Sequence, residues 1–316
     1  MARYVVDRII AMFLTLFIIM SLSFFVIRLM PQNIFENPEL PAEVIKMLED
    51  KMHLNDPLYV QYYYYLKGIV ADGDFGVSVK IRPNMPVFEL IKSRVPITML
   101  VNVLSLFISL PLGIIAGTLA ALYKNKAIDN IISVLIVICI SVPSFVFASL
   151  LQYALTHVFP VFPTLYNPGA KTLAQVLHSV ALPVIALALG PIATIARYLR
   201  GELIETMGSE FLLLARTKGL TQRQAITRHA FRNSCVPLAN IIISMFAGIM
   251  GGSMVIESIF GIPGMGGMLV KSINAGDHPL TIALLVFYSF ISLVTVLITD
   301  LSYGILDPRI RMGSKK

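Results

Sequence analysis

Ile97-Thr-Met-Leu-Val-Asn-Val-Leu-Ser-Leu-Phe-Ile-Ser-Leu-Pro-Leu-Gly-Ile-Ile-Ala-Gly-Thr-Leu-Ala-Ala-Leu-Tyr123 runs for 27 residues without one Lys, Arg, Asp or Glu. A helix rises ~1.5 Å per residue and the hydrocarbon layer of a bilayer is ~30 Å thick, so about 20 apolar residues cross it. Five further stretches, residues 9–27, 130–158, 177–196, 233–256 and 279–299, are apolar and equally free of formal charge. Over 316 residues the apolar share is 56% and the charged share 14%, against about 25% charged in soluble domains. The sequence predicts an all-α polytopic membrane protein with six transmembrane helices and both termini on one side. The first run, 19 residues with no small-x-small site behind it, exceeds the ~7–15-residue core of a secretory signal and is expected to persist as a helix.

Orientation follows from Lys and Arg in the short connections, which favour the cytoplasmic face. Arg3 and Arg8 precede the first run, Lys124 and Lys126 follow the second, and Arg309, Arg311, Lys315 and Lys316 end the chain. Arg197, Arg200, Arg216, Lys218, Arg223, Arg228 and Arg232 crowd the connection between the fourth and fifth runs, whereas Lys171 and Lys271 stand alone in theirs. Both termini and the basic connection are expected in the cytoplasm, and this bias accounts for the net charge of +7 without a nucleic-acid partner. Residues 31–95 are too long for loop charge to govern and are placed outside. Within them, short helices are expected at 41–52 and 58–70, a turn at 73–78 and an amphipathic piece at 87–94. The tyrosine run Tyr62 to Tyr65 suits the membrane interface.

Few polar groups interrupt the apolar runs. Asn102, Gln152 and Asn240, with Glu257 at an edge, are candidates for a substrate path, and the three amides equally suit hydrogen bonds between helices. An ion-coupled secondary transporter would need carboxylates near the midplane, and none occurs there. Gly113 with Gly117, and Gly248 with Gly252, place small residues four apart, which lets helices approach closely. Pro111, Pro143, Pro183 and Pro191 each remove a backbone donor and permit a bend. Cys139 and Cys235 are expected to be inert packing residues, and His157 and His178 lack a second ligand at helical spacing. No nucleophile–base pair, zinc spacing or carboxylate dyad stands out, so no catalytic or metal residue is assigned. The glycine-rich Ile259-Phe-Gly-Ile-Pro-Gly-Met-Gly-Gly267 has Gly267 where a phosphate loop needs lysine.

The basic connection has helix signals of its own. Ser209 can cap a short helix, Gly219 can end it in the left-handed conformation, and Thr221 with Gln224 has the spacing of a capping box for the next. The apolar runs close on both sides make a DNA-binding helix-turn-helix a poor reading of it.

An ordered series of motifs resembles the membrane-spanning permease subunits of ATP-binding-cassette importers, in the oligopeptide/dipeptide/nickel branch, most closely its oligopeptide B-type members. The series is Gly73-Asp-Phe-Gly-Val-Ser78 with Arg82-Pro83, Arg94-Val-Pro-Ile-Thr98, Ala215-Arg-Thr-Lys-Gly-Leu220, Arg228-His-Ala-Phe-Arg-Asn233 with Pro237, Glu257-Ser-Ile-Phe-Gly-Ile-Pro-Gly-Met-Gly266, Asp277-His-Pro279, Asp300-Leu-Ser-Tyr303 and Asp307-Pro-Arg-Ile-Arg311. The resemblance implies a type I importer permease fold with an extracytoplasmic helical insertion. Residues 1–30 would hold the cytoplasmic start and first helix, 31–95 the insertion, 96–302 the permease core and 303–316 the tail. Residues 197–232 would dock onto an ATPase, with Phe211, Leu212 and Leu214 filling its groove, Arg216, Lys218 and Arg223 edging it, and Glu210, Ala215 and Gly219 completing the element. The broad importer pattern has Glu-Ala-Ala before the glycine; Leu213 and Leu214 replace its first two residues here, so no acidic contact is assigned at 213. The resemblance further implies a homologous second permease, two ATP-binding subunits and an extracytoplasmic binding protein. ATP and Mg would sit on those partners, with no cofactor on this chain. The cargo would be peptides, or nickel or a metal chelate on the same scaffold.

Overall fold

The computed structural model describes residues 2–30, 46, 49–50, 53–247 and 253–306. Among these no strand forms, and a lone bridge joins Val77 to Pro86. The helices are α1 (Ala2–Leu29), α2 (Leu58–Lys67), α3 (Val87–Leu122), α4 (Ala127–Ser141), α5 (Ser144–Tyr153) and α6 (Leu173–Met207). They continue as α7 (Glu210–Thr217), α8 (Gln222–Ala225), α9 (Phe231–Ala247), α10 (Met254–Ile259), α11 (Met265–Ala275) and α12 (His278–Leu306). Four helices are individually long and apolar enough to cross a bilayer, and the pair α4–α5 supplies a fifth if it counts as one span. The fold is thus all-α and polytopic. Most of the expected helix at 41–52, all but residues 46, 49 and 50, lies outside the described residues, as do the Gly248–Gly252 pair and the Asp307–Arg311 motif.

Two expected spans differ in form. Residues 130–158 break between α4 and α5 with a 103° bend. Pro143 has no N–H and biases Val142 to its extended conformation (φ −88°, ψ 125°), which stops α4. Residues 233–256 are not one helix either: Ser253 is extended (φ −127°) and its hydroxyl accepts from the Ile256 amide, so a new helix starts there. The amphipathic piece at 87–94, by contrast, is continuous with the second span as α3.

The chain divides into two compact units. One comprises Ala2–Pro96 and Pro263–Val294. In it, Val87, Leu90 and Ile91 pack on Met265, Met268, Leu269, Leu280 and Leu284. A second cluster joins Phe24 and Ile27 to Ile282 and Val286. Tyr62 and Tyr65 lie three apart on one face of α2 and meet Phe24 at centroid distances of 5.3 and 5.0 Å, while Tyr63 and Tyr64 face outward. Burial, then the neighbouring Tyr62, pushes the Tyr65 phenol above its usual range, which keeps it neutral.

The other unit comprises Ile97–Ile262 and the chain from Thr295 onward. Its axis is α6, begun by a capping box in which Thr172 and Gln175 exchange hydrogen bonds, and lined by buried Ala186, Ala188, Ala193 and Ala196. Such small residues let neighbours come close. A Cβ at Gly113 would stand 2.8 Å from the Ile195 Cβ, and one at Gly117 would stand 2.7 Å from the Ala196 carbonyl oxygen and 3.0 Å from the Leu199 Cβ. Backbone cannot yield as a side chain can. Gly117→Val is therefore expected to destabilise this unit by about 2 kcal/mol through overpacking. Gly201→Ala, where an added Cβ meets nothing within 4 Å, should stabilise by ~0.4–1 kcal/mol. Thermal unfolding in detergent measures both, and equal midpoints would disprove the close approach.

Candidate functional site

The basic connection forms a compact corner. Ser209 takes the extended backbone of a cap, but its side chain does not cap α7: the hydroxyl donates to the Thr206 carbonyl at 2.6 Å instead. The end of α7 follows its glycine signal. Gly219 has φ +92°, its amide reaches the Arg216 carbonyl at 3.0 Å, and the Leu220 amide reaches Ala215 at 3.3 Å, the two bonds of a Schellman motif. Thr221 and Gln224 then exchange hydrogen bonds of 3.1 and 3.3 Å and start α8. One wide helical turn, Ile226–Ala230, leads directly into α9.

Leu212, expected to fill the groove of an ATPase, faces inward. It is only 4% exposed and packs in the protein's own core with Ala121 of α3, Leu203 of α6, Ala225 and Ala230. Its neighbours face the other way: Glu210, Phe211, Leu213, Leu214, Arg216, Lys218 and Arg223 are exposed, and Ala215 is half-buried. Leu213, at 62%, is the most open apolar residue of α7. A cavity of about 200 Å³ lies beside this helix between Met207, Leu212, Leu213, Arg216 and Ile226.

The helix that leads into the corner is tied to the start of α4. Arg200, expected among the loop charges, stands on α6 and pairs with Asp129 at the start of α4: Nε to Oδ1 is 2.6 Å and Nη2 to Oδ2 is 2.8 Å. Asp129 is buried and also accepts from the Asn125 amide and the Ser133 hydroxyl. A buried carboxylate needs such partners, since desolvating its charge alone is costly.

Each substrate-path candidate is held by hydrogen bonds, and Asn102 and Glu257 share Thr98, whose carbonyl accepts from the one and whose hydroxyl donates to the other. Gln152 donates from Nε2 to the Thr164 and Ile259 carbonyls, holding a loop. Glu257 is buried and accepts from the Thr98 hydroxyl at 2.7 Å. Asn240 is 8% exposed, with its carbonyl bonded to Ser244 and its Oδ1 to Ser302. Asn102 lines a cavity of about 400 Å³, shared with Ser105, Ser144 and Ser244.

Comparison with known proteins decides the family. Residues 109–312 match the family model described as "Binding-protein-dependent transport system inner membrane component". The chain belongs to this family. Residues 1–102 of the permease match a companion model described as "Binding-prot-dependent transport system membrane comp, N-term". The dipeptide transport system permease protein DppB of Lactococcus lactis subsp. cremoris is 38% identical over 312 residues, covering 99% of this chain and 100% of the relative. That of Bacillus subtilis is 37% identical over 316 residues, covering both chains fully at 100%. The oligopeptide transport system permease protein OppB of Escherichia coli K12 is 36% identical over 312 residues, 98% of this chain and 100% of its own. The permease is accordingly a multi-pass protein of the cell membrane, and its family is that of ABC transporter permease subunits, which are not themselves catalytic.

Two motifs quoted from the sequence of the permease meet in space. Ser78, closing Gly73-Asp-Phe-Gly-Val-Ser78, donates from Oγ to Asp277 Oδ2 at 2.5 Å. The amides of Val79, Lys80 and Ile81 also point at that carboxylate, at 3.2, 3.1 and 3.0 Å. Gly73 and Gly76, at φ +63° and +86°, give the turn its shape. Motif spacing alone neither joins these two stretches nor singles out Asp129.

Proposed function

We propose that this chain is one permease subunit of an ATP-driven importer that takes up peptides handed over by an extracytoplasmic binding protein. The end-to-end similarity to permeases of dipeptide and oligopeptide systems carries the proposal. A homologous second permease completes the pore, and two cytoplasmic subunits bind and hydrolyse ATP with Mg. The termini and the basic corner face the cytoplasm, as the distribution of Lys and Arg favours.

The corner is the docking element in this mechanism. Its outer side offers Phe211, Leu213 and Leu214 flanked by Arg216, Lys218 and Arg223, a chemistry suited to an apolar groove with acidic edges. Its inner side is fixed by Leu212 to the ends of α3 and α6, so closure of the ATPases is passed to membrane helices as rigid-body motion. Leu214→Asp puts a charge where the groove excludes water. ATP-dependent peptide uptake should fall by about tenfold or more, equivalent to ~1.4 kcal/mol of lost coupling or docking, with the permease still inserted. The measurement is peptide uptake by proteoliposomes holding the full complex, beside the amount of ATPase that co-purifies. Peptide uptake indifferent to ATP depletion would sink the importer assignment; unchanged uptake in Leu214→Asp would remove α7 from the mechanism.

A further inference from the structure

We infer that the 400 Å³ cavity among α3, α5, α6 and α9 is a charge-indifferent subsite for the peptide backbone on the transport path. The inference rests on the peptide-importer assignment and adds to it which groups meet the cargo. Asn102, Ser105, Ser144 and Ser244 supply its polar side chains, and among the described residues no Asp, Glu, Lys, Arg or His lines it.

The backbone contributes as well. Pro191 and Leu187 both line the cavity, and Pro191 has no N–H to give to the carbonyl four residues before it, which is that of Leu187. Gly190, with no side chain, leaves this part of the wall low. Opposite in character, Ser144 is the first residue of α5, and a first-turn amide has no intrahelical acceptor. Asn102 spends Nδ2 on the Thr98 carbonyl at 2.7 Å, which leaves its Oδ1 as an acceptor. Neutral donors and neutral acceptors therefore stand around one cavity, on α3, α5 and α6.

A peptide amide that leaves water must be given hydrogen bonds, and these groups can give them. A fixed charge in the wall would hold peptides of opposite sign and repel those of like sign. Its absence lets one path serve peptides whatever their side chains carry, leaving selection to the protein that delivers them.

The test introduces the missing charge. Ser144→Asp and Ser144→Lys are placed in the full complex in proteoliposomes with its binding protein, and uptake of Ala-Lys-Ala is measured against that of Ala-Glu-Ala. Ser144 is exposed beside the α4–α5 break, so both variants are accommodated without repacking a core. Relative to the unmodified complex, the Lys-to-Glu peptide ratio should move about tenfold in opposite directions in the two variants, since unit charges within a few Å interact strongly wherever water is partly excluded. Asn102→Asp, read in the same assay, should move the ratio in the direction of Ser144→Asp and keeps the test open to failure if a Ser144 variant does not assemble. Uptake by the unmodified complex together with an unmoved ratio in the variants overturns the subsite while leaving the importer assignment intact. Absence of ATP-driven uptake of either peptide by the unmodified complex overturns the assignment and the subsite with it.

Discussion

Asp277→Ala should destabilise the permease by about 3–5 kcal/mol, the cost of breaking a buried charged network from one side. The carboxylate is fully buried, so water cannot replace what the substitution removes. Four donors would lose their acceptor at once: the Ser78 hydroxyl and the amides of Val79, Lys80 and Ile81. An orphaned buried donor costs ~1–3 kcal/mol, and the turn would lose its shape before paying that four times. Ser78 also accepts from the Arg82 amide at 2.9 Å, so the disturbance reaches the loop leading to the Val77–Pro86 bridge. Asp277→Asn keeps the shape but turns an NH2 toward amides, and should lie between Ala and the native residue. Ser78→Ala removes one of the four donors and hands the Arg82 amide, on an exposed residue, to water, so it should cost only ~1 kcal/mol. Unfolding midpoints of the four proteins in detergent give the order, and an Asp277→Ala midpoint equal to the native one would show that the turn holds itself.

What the sequence made legible was local. Uncharged length alone marks α1, α3, α6 and α12, because crossing a hydrocarbon layer sets a minimum that chance composition seldom meets. Gly219 and the Thr221–Gln224 pair sit as their spacing demands, since both motifs close within a few residues. Ser209 departs from its signal because a competing acceptor, the Thr206 carbonyl, stands three residues back. The direction of Leu212 could not be read: three successive leucines, Leu212 to Leu214, give an eight-residue helix no apolar phase, and only packing on Leu203 and Ala121 chooses one. Pro143 announces a bend, but its 103° depends on what the flanking helices pack against. Asp277 with Ser78, and Arg200 with Asp129, join residues far apart in the chain, which neither periodicity nor a motif can connect.

The Arg200–Asp129 pair yields the other large effect. Arg200→Ala should cost about 3 kcal/mol, because it leaves Asp129 ionised in a site where only Asn125 and Ser133 still donate to it. Solvent reaches the arginine, whose side chain is 30% exposed, which keeps the figure at the lower end for a buried pair. Arg200→Lys is no conservative change here, since an ammonium cannot make both the Nε and Nη2 contacts at once. Replacing both partners, Arg200→Leu with Asp129→Leu, removes the buried charge together with its counter-charge and should recover most of the loss. The recovery is what separates an ion pair from two independent packing residues: a double-mutant cycle should show a coupling of more than ~1 kcal/mol, and strict additivity would refute the pairing. Function gives a second readout. Asp129 holds the turn after α3 against α6, and the ends of those same two helices carry Ala121 and Leu203, on which Leu212 rests. If the docking corner transmits force through that base, the double-leucine protein should regain stability and still show reduced peptide uptake per ATP hydrolysed. A hydrophobic pair can restore packing, but it cannot restore the two directed bonds that fix the register of α4 on α6.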